Sequence, residues 1–144
     1  MTGIIDHFPA SKYALLGFLF DGPSHGYEIH KHMTDPEGIG MVWEVKMSNL
    51  YAQLSKLEQT GFIQGRLMPQ EQRPSRKEYS LTDAGRLEFT NWLHQVIHHP
   101  RHFRQEFMVQ YFFLQQYEPQ SLRTQIQSQL KECQRWVEGI RGKE

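Results

Sequence analysis

Apolar residues recur at helical spacing along most of the chain and at strand spacing in one short central region. Between Ser11 and Phe20, the side chains of Leu15, Leu16, Leu19 and Phe20 share one helical face. Asp21-Gly22-Pro23-Ser24 predicts a turn, because Gly and Pro interrupt a helix while Asp and Ser bond nearby backbone. A second short helix is expected from about His25 to Met33, then a loop over Asp35–Gly40 and a short strand over Val42–Val45. The next helix is the best punctuated in the chain. Ser48 reads as its N-terminal cap, Leu50, Leu54 and Leu57 as its apolar stripe, and Gly61 as a left-handed terminator. Asn49, Gln53 and Lys56 lie off that stripe and give the helix a polar face.

Past Gly61 the pattern turns extended. Phe62–Met68 and Lys77–Leu81 read as two strands of a hairpin, with the polar, Pro-containing stretch Pro69–Arg76 as a long tip. Thr82 caps a helix expected to run to about Ile97, with Phe89, Trp92, Leu93, Val96 and Ile97 on its apolar side. Helix, turn, helix and then a two-stranded hairpin is the element order of a winged helix-turn-helix. The fold class that follows is mainly α with a small β-hairpin wing, a winged helix-turn-helix plus a C-terminal helical dimerisation segment. Pro100 marks the seam, placing a DNA-binding domain at residues 1–97 and the helical segment at 98–144.

Composition narrows the function. Lys plus Arg and Asp plus Glu both number 16 in 144 residues, so the chain is not a polycation and any nucleic-acid affinity must be local. It is local in the right place: from Lys46 to Lys77 the cations are Lys46, Lys56, Arg66, Arg73, Arg76 and Lys77, against only Glu58 and Glu71. No stretch approaches the length of a membrane span, and Met1–Asp6 lacks the basic and apolar regions of a signal peptide. One cysteine, Cys133, permits no intrachain disulfide and fits the reducing cytosol. A cytoplasmic protein without cofactor or membrane partner is expected.

Four ordered blocks resemble the PadR family of transcriptional regulators. They are Tyr13–Leu19 with Gly22–Ile29, then Trp43 with Ser48–Ile63, then Arg73–Arg86, and finally Trp92-Leu93, Pro100, Arg104 and Glu106-Phe107 with the apolar helix that follows. The last block is similar to longer members with an AphA-like helical C-terminal extension, and the likeness covers residues 11 to about 140. Two departures stand out: Asn49 where the family usually has Thr or Ser, and Ala52 where it has Pro. Both fall at the start of the reading helix, so they bear on the operator rather than the fold. The chain stops at Gly142-Lys143-Glu144 where longer members continue, which fits a short natural member and a shortened chain alike.

The resemblance implies a homodimeric regulator on double-stranded DNA, most simply a repressor on a pseudo-palindromic promoter site, with activation left open. It also implies a small-molecule effector, a phenolic or other aromatic compound in some members, whose identity these residues do not give. Ser48, Asn49 and Tyr51 would then lie nearest the DNA together with Lys46. Ser and Tyr hydroxyls suit phosphate oxygens, and Asn can pair bidentately with adenine. Lys56 would meet a phosphate, and Arg73, Arg76 and Lys77 of the wing would grip the backbone or enter the minor groove. Tyr51 has a second reading as a packing residue, as do Tyr13 and Tyr27, and His25-Gly26-Tyr27 reads as a helix-start and packing signature with backbone contact to phosphate second.

Leu122, Ile126, Leu130, Cys133, Val137 and Ile140 follow spacings of 4, 4, 3, 4 and 3, a seam for pairing helices. With Trp92, Phe107 and Tyr111 they are the candidate dimerisation residues; two C-terminal helices packed within one chain are the alternative. His94, His98 and His102 could approach one metal ion, but the chain has neither a His-Glu-x-x-His motif nor a cysteine pair. No Gly-rich phosphate loop or Gly-x-Ser-x-Gly elbow points to catalysis. The remaining alternatives to a DNA-binding regulator are a winged-helix protein adaptor and a metal-responsive regulator using the His94/His98 cluster.

Overall fold

The computed structural model describes residues 9–142. The Met1–Asp6 expectation and His7 lie outside them. The chain falls into two compact units that meet in sequence at Asn91/Trp92, earlier than the expected seam at Ile97/His98.

The first unit begins with α1 (Pro9–Phe18), then β1 (Ser24–His25), α2 (Gly26–Met33), a 3₁₀ turn at Ile39–Met41 and α3 (Met47–Gln59). It continues through β2 (Ile63–Gln70) and β3 (Arg73–Leu81) into α4 (Asp83–Leu93). Of the apolar residues read from the sequence, Leu15, Leu16, Leu19, Leu50, Leu54, Leu57 and Phe89 are buried in its core and Phe20 is half-buried, while Ile29 and Ile63 join the core without having been singled out. α3 ends where Gly61 allows it to. Gly61 adopts φ 85°, its N–H donates to the Glu58 carbonyl and the Phe62 N–H to that of Leu57, the paired bonds of a Schellman cap.

Four local expectations are corrected. α3 starts one residue early, at Met47, and Lys46 is its cap without a side-chain bond, so Ser48 is inside the helix and does not cap it. Val42–Val45 is not a strand. Both valines are buried, and the Val45 carbonyl accepts a hydrogen bond from His30 Nε2 at 3.0 Å, leaving no ladder to join. The hairpin is longer and its tip tighter than expected. The strands pair from Ile63↔Leu81 to Gln70↔Arg73, leaving only Glu71 and Gln72 in the turn, with Gln72 left-handed at φ 57°. A bulge between Met68 and Gln70 accommodates Pro69, which has no N–H for the ladder. Finally, β1 adds a third strand, Ser24↔Tyr79 and His25↔Glu78, giving the sheet order β1-β3-β2.

The second unit holds a 3₁₀ turn at Pro100–His102, α5 (Phe103–Tyr117), a further 3₁₀ turn at Pro119–Ser121 and α6 (Leu122–Arg141). The helix from Thr82 was expected to reach Ile97, yet it stops at Leu93. Three buried glutamines explain the difference. Gln110 Nε2 donates to the Trp92 carbonyl at 2.9 Å and the Gln95 carbonyl at 2.8 Å, and Gln125 Nε2 donates to Gln95 at 2.7 Å. The Gln129 amide accepts from the Ile97 N–H at 2.7 Å and donates to the Ile97 carbonyl at 2.9 Å. The 94–97 backbone gives up helical bonds for these side-chain ones, which keeps its buried polar groups satisfied.

α6 is therefore inverted relative to an ordinary amphipathic helix. Gln125, Gln129 and Glu132 are buried, while Ile126, Leu130, Val137 and Ile140 are 42%, 55%, 48% and 69% exposed. The seam read from the sequence lies on the open face.

Candidate nucleic-acid interface

The buried stripe of α3 turns its other side outward. Ser48 and Asn49 are exposed in the first turn, Lys46 precedes them and Lys56 is exposed two turns on. With no side-chain cap, the first-turn N–H groups of α3 remain available to an anion. Gln53, expected on the same polar face, is tied to α1: its Oε1 accepts from the Ser11 hydroxyl at 2.7 Å. Tyr51 shows the packing read for it while keeping part of its ring open to solvent. It is 44% exposed, and its ring packs over Gly26, where a Cβ would come within 2.5 Å of Cε1.

The β2–β3 hairpin displays Arg66, Arg73, Arg76 and Lys77, all exposed. They are not equivalent. Lys77 Nζ donates to Glu58 Oε1 at 2.8 Å, and that bond raises the lysine pKa above its ordinary value. Glu58 also accepts the Gly65 N–H at 3.2 Å, so this carboxylate joins the end of α3 to both hairpin strands. Arg76 Nη1 donates to His25 Nε2 at 2.9 Å. Arg66 and Arg73 have no side-chain hydrogen bond or ion pair among the described residues, leaving their donors to solvent or a ligand. The sequence showed the charges without showing which of them already had partners.

Two further groups, His25 and Tyr27, read from the sequence mainly as helix-start and packing residues, with backbone contact to phosphate second. His25 reaches the hairpin, and Tyr27 is 56% exposed at the start of α2 with Lys31 Nζ 5.8 Å from its ring centre. Their signal was the His25-Gly26-Tyr27 run itself.

The candidate dimerisation residues divide. Tyr111 is 40% exposed on α5 beside Met108 at 41%, and Leu122 and Cys133 are partly exposed on α6. Phe107 stacks on Phe103 at 5.3 Å, and Trp92 is only 4% exposed. The histidines do not share a helix. His94 Nε2 lies 2.7 Å from Glu118 Oε2 on one side, and His98 Nδ1 lies 3.4 Å from Glu132 Oε2 on another. No group of three His, Cys, Asp or Glu side chains able to hold a metal ion occurs among the described residues.

The model of the Transcriptional regulator PadR-like family matches residues 15–91, from α1 through the hairpin into α4. The chain belongs to this family. Negative transcriptional regulator PadR of Bacillus subtilis is 35% identical over 133 residues, 91% of this chain and 71% of that protein. The crystal structure of B. subtilis PadR in complex with operator DNA matches with a TM-score of 0.60 at 30% identity, covering 96% of this chain and 75% of that one. The complex of the same PadR with p-coumaric acid matches at 0.53 and 30%, over 96% and 72%. Membership in a family of transcriptional regulators, with the winged helix-turn-helix in place, agrees with reading this chain as a regulator and not an enzyme. No helix among the described residues is long and apolar enough to cross a membrane.

Proposed function

We propose that this protein is a cytoplasmic transcriptional repressor that binds a pseudo-palindromic operator as a homodimer. The observation that carries this reading is the placement of Ser48 and Asn49, exposed at the start of α3 beside a hairpin bearing four exposed cations. α3 enters the major groove, where the Asn49 amide reads a base edge and Ser48 and Tyr51 meet phosphate oxygens. Lys46, Lys56, Arg73 and Arg76 neutralise backbone phosphates, with Lys77 in a lesser role because Glu58 holds it.

The open apolar face of α6 supplies the dimer. Leu122, Ile126, Leu130, Cys133 and Val137 from two copies cover one another, assisted by Tyr111 and the edge of Phe107. Two-fold symmetry then presents two α3 helices to half-sites about 34–36 Å apart or a multiple of it. B. subtilis PadR has been crystallised with p-coumaric acid, and a small aromatic acid is the class of signal we assign to release from the operator.

Selection of duplexes from a random pool, followed by mobility shift across a salt series, tests the reading. Recovery of a two-fold-symmetric site whose affinity falls steeply with salt supports it. Retention of no duplex, or binding whose affinity does not fall with salt, overturns specific DNA binding in favour of a protein adaptor. Adding p-coumaric acid to the shifted complex tests the class of effector.

A further inference from the structure

His25 stands where three elements meet. It ends β1, its backbone pairs with Glu78 of β3, and Gly26 beside it opens α2. β1 is two residues long because the chain turns there into the helix, so the edge of β3 is unpaired beyond Glu78. Arg76 is the next residue on the same face of that strand. Its guanidinium turns back across this gap, and Nη1 donates to His25 Nε2 at 2.9 Å.

The chemistry of the contact fixes the imidazole. A guanidinium has donors only, so Nε2 must present its lone pair and Nδ1 must carry the ring proton. Nδ1 is buried and meets no hydrogen-bond partner among the described residues, so the ring's one strong polar contact is the one to Arg76. An arginine on an exposed hairpin otherwise samples many rotamers, and binding must freeze them. Holding one nitrogen of this exposed guanidinium limits its rotamers and leaves the other N–H donors of its planar fork for a phosphate, whose oxygens such a fork suits.

We infer that His25 is a positioning residue for DNA binding: it accepts a hydrogen bond from Arg76 and pre-orients that guanidinium for a backbone phosphate. The inference deepens the proposed function and rests on its assignment of Arg76 to phosphate. Arg73, near the hairpin turn, has no such tether, so the two arginines differ in how much ordering they undergo on binding.

The test is a double-mutant cycle in the full chain. Wild type, His25→Ala, His25→Gln, Arg76→Ala and His25→Ala/Arg76→Ala are compared on a duplex selected by wild type and on a random-sequence duplex, over a salt series. Thermal melting of each variant is followed in parallel. His25→Ala is expected to weaken both duplexes roughly threefold to tenfold, the ordering cost of a long side chain, and to lower the salt slope toward that of Arg76→Ala. His25→Gln, whose side-chain oxygen can replace Nε2 as acceptor, should stay within about twofold of wild type. The double variant should match Arg76→Ala. Independent, multiplicative losses from the two substitutions, or a His25→Ala variant with the wild-type slope, would overturn the positioning role. Arg76→Ala with wild-type affinity and slope would instead remove the phosphate assignment of Arg76, and the positioning role with it.

Discussion

The Tyr51 ring of α3 lies directly against Gly26 of α2: a Cβ on Gly26 would sit 2.5 Å from Cε1 and 2.7 Å from the hydroxyl oxygen. The glycine thus sets how closely the two helices of the helix-turn-helix approach, and it also decides where a half-exposed phenol points. Gly26→Ala must move the ring, the backbone or both. Overpacking of this kind costs about 1–3 kcal/mol, at the low end here because the ring can swing toward solvent. The same substitution in a Tyr51→Ala background meets no ring, and the lower chain entropy of Ala should leave it neutral or stabilising by about 0.4–1 kcal/mol. Chemical denaturation of the four proteins checks the sign reversal.

Asn49 should leave stability nearly untouched and alter sequence selection. Its side chain is exposed and off the Leu50–Leu54–Leu57 stripe, so Asn49→Ala removes nothing from the core. A bidentate amide–adenine pair is worth about 1–3 kcal/mol of discrimination. Sites selected by the variant from a random pool should lose preference at one base pair in each half-site, symmetrically about the centre. Unchanged selection with uniformly weaker binding would make Asn49 a phosphate contact.

What was legible in the sequence is what short-range spacing encodes. The stripe of α3 and its Gly61 stop are such features, because helical period and a left-handed cap are written within a few residues. β1 was not legible: two residues, Ser24 and His25, carry no period. Nor was the early end of α4. Val96 and Ile97 continue its apolar pattern faultlessly, and what stops the helix is the set of amides on Gln110, Gln125 and Gln129, distant in sequence. The hairpin was read too short because Pro69 and Pro74 argue against strands, whereas a bulge absorbs the missing donor. For the site, residue type gave the cations, and only the structure distinguishes the tethered Arg76 and Lys77 from Arg73.

On the proposed dimer, the inverted helix α6 would separate folding from association. Leu130 is 55% exposed, so Leu130→Asp should leave the second unit folded while weakening the dimer, with loss on the order of 3 kcal/mol when both copies lose a buried leucine. Gln129→Ala should do the reverse. It strands the N–H and the carbonyl of Ile97 in a buried setting, at about 1–3 kcal/mol for each group left unpaired. Sedimentation and thermal melting of both variants read the two effects separately. A Leu130→Asp protein that remains a tight dimer would take the interface off α6.

Glu106 should cost stability as pH rises. It is 9% exposed, and burial pushes its carboxyl above the usual range, against the opposing pull of the nearby Trp92 indole N–H and of His102 and His99. A raised acid binds its proton more tightly folded than unfolded. Its contribution is therefore complete below the unfolded value and disappears as pH climbs through the folded one. Glu106→Gln keeps the side chain's size and an acceptor oxygen and removes the charge, so its melting temperature should exceed wild type at neutral pH and converge with it in acid. The comparison is made as a difference because Glu88 and Glu118 act in the opposite direction. Their carboxyls are held low by Tyr13 and His94 respectively, and their stabilisation is lost as pH falls.

Glu58 restrains the positive charge of the hairpin, and releasing it should tighten DNA binding. In wild type, Lys77 Nζ is bound to Glu58 Oε1 at 2.8 Å, so one cation per subunit is already partly neutralised before DNA arrives. Lys77→Ala should therefore weaken binding less than Arg73→Ala, whose guanidinium has no such partner among the described residues. Glu58→Gln keeps an oxygen for the Gly65 N–H and leaves the lysine charge unopposed. The salt dependence of affinity should steepen by about one unit per subunit, on specific and random duplexes equally. Stability should change by less than about 1 kcal/mol, since the pair is partly exposed and solvent screens it. Lys77→Ala placed on Glu58→Gln should then cancel the gain in slope. A Glu58→Gln protein with the wild-type slope would mean that Lys77 never faces phosphate and serves only to pin the hairpin to α3.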